Sequence, residues 1–386
     1  MVKNLAEKYH DFIVALRREF HMHPEPSFKE FRTSQRIKEE LEALGIPFET
    51  VGETGVVGVV RGEQPGKTIA LRADMDALEL QESNDIEYKS KQDGYMHGCG
   101  HDAHTAMLLG AGKILNEVKE SLQGKVKLIF QPAEEVALGA KMMVEAGVLE
   151  DVDETFAIHV WANLPAGQIS VDPGPRMAAT DVFKLIFTGK GGHGSAPHEG
   201  IDAIVAASSF VMNVQSIVSR EISPLDSVVV SVGIFNSGTR FNVIASEAYL
   251  EGGTRYFSRE MAATIPQMIE RIAQNTAAAY RAEVKFEYIY GTPPCINHEA
   301  SAARAAASVK KLFGEEAVVS QEKVTGGEDF AFFVEKIPGA IAFLGCKNPQ
   351  KQADFPHHHP RFNIDEDVLS RGAALYAQYA LDYLNN

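Results

Sequence analysis

Apolar residues recur at helical spacing from Leu5 to Phe20 and again from Glu30 to Leu44, with Gly45 directly after. That pattern predicts two amphipathic helices. Short apolar runs at Val56–Val60 and Thr68–Ala73 predict strands, and the second continues into Arg72-Ala73-Asp74-Met75-Asp76. A helix follows over Ala103–Val118, then a buried strand over Val126–Phe130 and another over Glu154–Val160. These strands deliver polar groups at their ends: Asp74 and Asp76, the Gln131-Pro132-Ala133-Glu134-Glu135 segment, and His159. Successive strand ends are where an open α/β sheet collects its site.

The middle of the chain changes period. Strands are expected over Phe183–Thr188, Ser227–Ile234, Glu247–Gly252 and Val284–Tyr290, with helices over Ile201–Val218 and Glu260–Tyr280. Their order, β-α-β-β-α-β, is the split unit that forms a two-layer sandwich. It reads as an insertion hinged at Asp172-Pro173-Gly174-Pro175 and Gly291-Thr292-Pro293-Pro294. The chain then returns to α/β alternation, with a helix over Ala302–Phe313, a strand over Ala340–Leu344 and a last helix over Glu366–Leu384. The expected division is 1–176 and 293–386 for a core made of two parts, and 177–292 for the insert.

Composition narrows the partners. The formal net charge of -15 argues against nucleic acid or an anionic membrane. No apolar run approaches membrane-spanning length, and the first residues lack the apolar core of a secretion signal. Three cysteines, Cys99, Cys295 and Cys346, do not make a disulfide framework. A cytoplasmic protein is expected, with Cys295 and Cys346 structural.

The chemistry concentrates at Met96-His97-Gly98-Cys99-Gly100-His101-Asp102-Ala103-His104-Thr105, which holds three of the thirteen histidines. Cys99 and His101 are one glycine apart, so thiolate and imidazole can reach one centre, and borderline divalent metals take such donors. Glu134-Glu135, His159 and the His357-His358-His359 run are further candidate ligands. A Glu-Glu pair can place one carboxylate on metal and leave the other as a base. Other readings stay open. Glu134-Glu135 could be the first turn of the next helix, and His159 a hydrogen-bonded core residue. The triple histidine could be a solvated loop, and Asp74 and Asp76 could cap one. Cys99 could instead be an activated thiol nucleophile.

These segments, together with Phe20-His21-Met22-His23-Pro24-Glu25, Leu71 to Leu78, Gly191-Gly192-His193-Gly194-Ser195-Ala196-Pro197-His198, Gly327-Glu328-Asp329-Phe330 and His358-His359-Pro360-Arg361-Phe362, give the chain a family likeness. It resembles the metal-dependent amidohydrolases that cleave N-acyl amino acids, a branch of the dinuclear aminoacylase and carboxypeptidase superfamily. The resemblance implies a mixed-sheet α/β dinuclear metallohydrolase core carrying the inserted sandwich. It implies two divalent ions (manganese, zinc, nickel or cobalt) on Cys99, His101, Glu135, His159 and His358, and metal-activated water with Glu134 as general base. It further implies that His193 holds the substrate or polarises its carbonyl, that Asn242 and Arg255 contact the substrate carboxylate, and that the chain is a homodimer through the insert. A dinuclear exopeptidase acting on dipeptides is the close alternative.

Overall fold

The computed structural model describes residues 1–385. The chain divides into two compact units. The first takes Met1–Gly174, Ile296–Glu322 and the chain from Asp329 onward; the second takes Pro175–Cys295 and Lys323–Glu328. The second unit thus begins two residues before the expected insert, ends three residues after it, and adds a short return segment.

The first unit is built on a seven-stranded mixed sheet. Its strands run in the order Phe48–Val51, Gly55–Arg61, Gln123–Gln131, Gln64–Asp74, Glu154–Pro165, Gly339–Lys347 and Ile169–Ser170. The three central pairings are parallel, and antiparallel strands close both edges. Parallel strands are covered on both faces, so their sequences are continuous apolar runs. The Gly339–Lys347 strand, buried throughout except at Lys347, shows this plainly. The helices His101–Glu117 and Leu369–Leu384 pack on each other and on the Gln64–Asp74 strand. The ring of Tyr379 from the last helix stacks on Phe156 with centroids 4.1 Å apart. Each such ring contributes about 1.5–3 kcal/mol by leaving water. Asp74 pairs with Gln131 across the sheet, and His159 lies opposite Phe343. Asp74, Gln131 and His159 therefore lie close to one level across the central strands, although the Glu154–Pro165 strand runs on past His159 instead of ending there.

Several helix boundaries differ from the periodic pattern, among them the starts at Glu299 and Leu369, and three of the differences have a plain local reason. The first helix breaks at Tyr9 (φ -98°, ψ 10°) into Val2–Lys8 and His10–Met22. The Tyr9 hydroxyl donates to Glu117. The helix expected over Ala103–Val118 starts at His101, because Gly100 is left-handed (φ 93°) and turns the chain two residues earlier than the apolar pattern shows. In the second unit, Asp202 caps a helix of Ala203–Asn213 by accepting from the Ile204 N–H, and a wider turn takes over at Ile217–Glu221.

The second unit has a four-stranded antiparallel sheet in the order Val229–Ser237, Glu247–Tyr256, Ala179–Thr188 and Glu283–Thr292. The Ala179–Thr188 strand alternates strictly in burial. Its inward Phe183, Leu185 and Phe187 join Phe210 of the Ala203–Asn213 helix, and Ile265 and Ile269 of Arg259–Ala279, in a second core. The element order is β-α-β-β-α-β, so the α/β core with an inserted two-layer sandwich is the architecture the chain adopts.

Candidate metal centre

Four side chains of the first unit converge on Cys99. The donor atoms of Cys99, His101 and His159 lie within 4.8 Å of one another, and so do those of Cys99, Glu135 and His358. Cys99 Sγ is 3.5 Å from His159 Nε2, and His358 Nε2 is 3.7 Å from Glu135 Oε2. Donors around one tetrahedral ion with bonds of about 2.0–2.3 Å stand about 3.3–3.8 Å apart, so these spacings fit the ligand role. His101 Nε2 and Glu135 Oε1 are buried with no hydrogen-bond partner, which a cation between them would supply.

The other ring nitrogens are already committed. His101 Nδ1 is 2.9 Å from the Asp76 main-chain oxygen and 3.2 Å from Asp76 Oδ1, so Nε2 is the nitrogen that faces the other donors. His159 Nδ1 donates to the Val160 carbonyl at 2.6 Å and so presents Nε2 in the same way. An imidazole held by its far nitrogen is the usual condition of a metal ligand. His104, although adjacent, is spent. Its Nε2 accepts the Val160 N–H (2.8 Å) and its Nδ1 donates to Asp74 (2.5 Å).

The triple histidine is sorted by the same test. His357 Nε2 accepts the Ala162 N–H, and His359 Nδ1 accepts the Arg361 N–H while its ring stacks on Phe355. His358, left-handed at φ 62°, is the ring that reaches Glu135. Burial depresses His357 to about 3 and also holds His358 below its ordinary value, so both stay neutral.

Electrostatics point the same way. Burial pushes the Cys99 thiol well up, and the Glu135 charge adds to it. Burial likewise raises the Glu135 carboxyl to about 7, against the lowering influence of His101. A buried thiolate and carboxylate side by side need positive charge, and a divalent ion reverses both shifts.

Glu134 and Glu135 lie in a turn between the Gln123–Gln131 strand and the Gly139–Glu145 helix, not in the helix itself. Glu134 Oε2 and Glu135 Oε1 are each 3.9 Å from His101 Nε2. Asp74 and Asp76 are buried structural carboxylates rather than loop caps. Asp76 accepts the N–H groups of Glu134 and Glu135, each at 3.1 Å, in addition to His101. Asp74 accepts from Arg72 (2.6 Å) and His104. Asp329 accepts from Arg72 (2.7 Å), from Gln131 and from the Ala140 N–H. Their one sequence signal is position, at the end of a strand or beside a Gly-Glu-Asp turn.

The other candidates belong to the second unit. His193 sits in a two-residue strand paired with Val243–Ile244, and the Gly194 N–H donates to the Asn242 carbonyl, so His193 and Asn242 are neighbours. His193 Nδ1 meets Ser195 Oγ at 2.6 Å. Arg255 lies in the four-stranded sheet opposite Val229 and Thr180, with its guanidinium on the Thr254 carbonyl (2.8 Å).

The fold and this donor set are those of a metal-dependent hydrolase of amide bonds. More narrowly, the chain belongs to peptidase family M20/M25/M40, whose model matches residues 70–382. It is 42% identical over 391 residues to thermostable carboxypeptidase 2 of Saccharolobus solfataricus, covering 100% of this chain and 98% of that one. It is 39% identical over 383 residues to the N-acetylcysteine deacetylase of Bacillus subtilis, covering 98% of each. Among solved structures it matches the Bacillus subtilis YXEP protein, described as a dinuclear metal binding peptidase of the M20 family. That match has a TM-score of 0.88 and 36% identity, and covers 98% of this chain and 99% of that one.

Proposed function

We propose that this chain hydrolyses the amide bond of N-acyl amino acids, releasing a free amino acid and a carboxylic acid. The observation that carries this reading is the pair of donor triads sharing the Cys99 sulfur, with a second carboxylate, Glu134, beside them. Cys99, His101 and His159 would hold one divalent ion, and Cys99, Glu135 and His358 the other; manganese, zinc, cobalt and nickel all suit these donors. When bound, such ions supply Lewis acidity and a water that ionises near neutral pH. Glu134 accepts the proton of the attacking water on a carboxylate oxygen and returns it to the departing amine. His193 and Asn242 serve the substrate from the inserted unit, and the guanidinium fork of Arg255 suits its α-carboxylate.

The deacetylase relative supports an acyl amino acid as substrate. The carboxypeptidase relative is the specific observation that favours a second reading, an exopeptidase acting on dipeptides. A cysteine nucleophile is disfavoured, because burial raises the Cys99 thiol where a nucleophile needs it lowered. Among the described residues no helix is long and apolar enough to cross a membrane. We place the protein in the cytoplasm, acting on a small molecule without nucleic acid or membrane. We take it as a homodimer through the inserted unit, whose edge strand Val229–Ser237 leaves Ile234 and Phe235 exposed.

The test is hydrolysis of acetyl and benzoyl amino acids and a few dipeptides by chelator-stripped protein resupplied with each metal. Metal-restored release of amino acid from the acyl substrates is expected. Turnover of dipeptides alone would favour the exopeptidase, and chelator-resistant turnover would sink the metal reading. Glu134→Gln should abolish turnover with two metals still bound.

A further inference from the structure

Glu30 occupies the N-cap position of the Phe31–Ala43 helix, yet its side chain caps none of that helix. The capping is done by Glu25, which accepts the N–H groups of Arg32 (3.0 Å) and Thr33 (2.8 Å). The Glu30 carboxylate, fully buried, turns the other way. Its Oε1 accepts the N–H of Ala133 at 2.9 Å and that of Phe28 at 2.9 Å, and its Oε2 accepts the Thr54 hydroxyl at 2.8 Å. The next two N–H groups of the same turn, those of Glu134 and Glu135, go to the two oxygens of Asp76. Three consecutive backbone donors are thus held by two buried carboxylates from distant parts of the sequence.

The two carboxylates are also tied together. Ser27 Oγ donates to Asp76 at 2.7 Å, and the Ala77 N–H donates to the Glu25 carbonyl at 2.8 Å. The segment they hold is strained, since Ala133 (φ 57°) and Ala137 (φ 58°) are both left-handed without being glycine. Such residues persist only where their surroundings over-determine them. A buried carboxylate with no cation among its hydrogen-bond partners is itself costly, so a structural account has to find what it secures. Here that is the backbone one residue before Glu134.

We propose that Glu30 is a positioning residue for hydrolysis: together with Asp76 it fixes the Ala133–Glu135 turn, and so sets where the Glu134 and Glu135 carboxylates stand. The proposal rests on the reading of Glu134 as the base. Small misplacements of a catalytic group reduce turnover far more than they reduce binding.

The experiment compares Glu30→Ala and Glu30→Gln in metal-loaded protein on an N-acetyl amino acid. Glutamine keeps an acceptor oxygen for Phe28 and Ala133; alanine does not. For Glu30→Ala, kcat should fall about a hundredfold with KM within about threefold and two metals retained. Glu30→Gln should recover kcat to within about fivefold. A purely structural role would lower the melting temperature and leave kcat per folded molecule unchanged, which overturns the proposal. If Glu30→Ala does not fold, Thr54→Val and Thr54→Ser decide. Loss of kcat in the valine variant and its return in the serine variant support the proposal; unchanged kcat in both refutes it. Glu134→Gln separates the two layers. If that variant keeps its turnover, the base assignment falls and this inference with it. If it is dead while Glu30→Ala has normal kcat, only this inference falls.

Discussion

Replacing Gly100 by alanine tests whether the metal loop is held by backbone geometry. Gly100 stands between Cys99 and His101 at φ 93° and ψ 16°. An L-residue in the left-handed region costs about 1–2 kcal/mol. A Cβ there would also come within 2.3 Å of Val160 Cγ2, well inside the contact distance of about 3.5–4.0 Å. Val160 cannot easily yield, since it is fully buried and its N–H is held by His104. Overpacking of that kind adds about 1–3 kcal/mol, so the expected loss is about 2–5 kcal/mol. Gly45 supplies the control, being left-handed (φ 65°) with nothing within 4 Å of the Cβ that alanine would add, so Gly45→Ala should lose only the backbone share. Adding Val160→Ala to Gly100→Ala removes the clashing methyl and should return about 1–3 kcal/mol as coupling. Urea unfolding of chelator-treated protein measures the two glycine variants, Val160→Ala and the double variant without the contribution of bound metal. Equal losses in Gly100→Ala and Gly45→Ala, or an additive double variant, would refute the reasoning.

His358→Ala should remove one of two bound metals, whereas His359→Ala should leave both; elemental analysis of the purified variants decides. Asp102 is buried against Arg17 (2.9 Å) and His21 (2.7 Å). Burial alone would raise its carboxyl, but Arg17 and the His21 hydrogen bond outweigh burial and hold it well below the usual range. Asp102→Asn leaves the buried Arg17 short of one partner and should cost roughly 3 kcal/mol at neutral pH in urea unfolding. Glu30 shifts in the opposite sense, raised by burial to about 7 despite its hydrogen bonds. The folded chain then binds this proton more tightly than the unfolded chain, so the group subtracts stability as pH rises from about 4 to about 7. Glu30→Gln should therefore match the parent near pH 4 and exceed it by at most about 3 kcal/mol at pH 8, and a flat difference across that range would count against a buried charge.

The periodic elements were legible because burial on one face leaves its mark residue by residue, as in the Ala179–Thr188 strand and the His10–Met22 helix, which buries Ile13, Leu16, Arg17, Phe20 and His21. The ligand candidates were legible because Cys99, His101, the Glu134-Glu135 pair and the histidine run are rare residue types crowded into short spans. What escaped was whatever depends on an acceptor brought from far along the chain. Glu30 and Ala133 are 103 positions apart, and nothing near either marks the contact. A glycine at position 133 would have announced the left-handed turn; alanine conceals it. For Asp76 the loop-cap reading stayed open because capping and the support of a neighbouring turn both use a carboxylate accepting N–H groups, and the two differ only in whose N–H it is.

The buried carboxylates near the Glu134-Glu135 turn are sorted by their partners. Arg72, almost fully buried, donates to both Asp74 and Asp329, and Gln131 with the Ala140 N–H completes Asp329. Asp76 is taken up by His101, Ser27 and two backbone donors. Each of these three has its charge met by the protein, which makes it a poor competitor for a cation. Glu135 is different, since one of its oxygens is buried without a donor while burial raises its carboxyl. Of Asp74, Asp76, Asp329 and Glu135, Glu135 is the one left with a demand that a divalent ion would meet. That division explains how a region this acidic would keep a defined ligand set. Arg72 is the residue on which the sorting turns. Arg72→Met would leave Asp74 and Asp329 buried without their cation, freeing two further carboxylates to bind metal. The expected result is metal bound beyond two equivalents or in altered geometry, read by titration with cobalt and its visible absorption. An unchanged cobalt spectrum with two equivalents bound would show that distance rather than charge keeps Asp74 and Asp329 out of the ligand set.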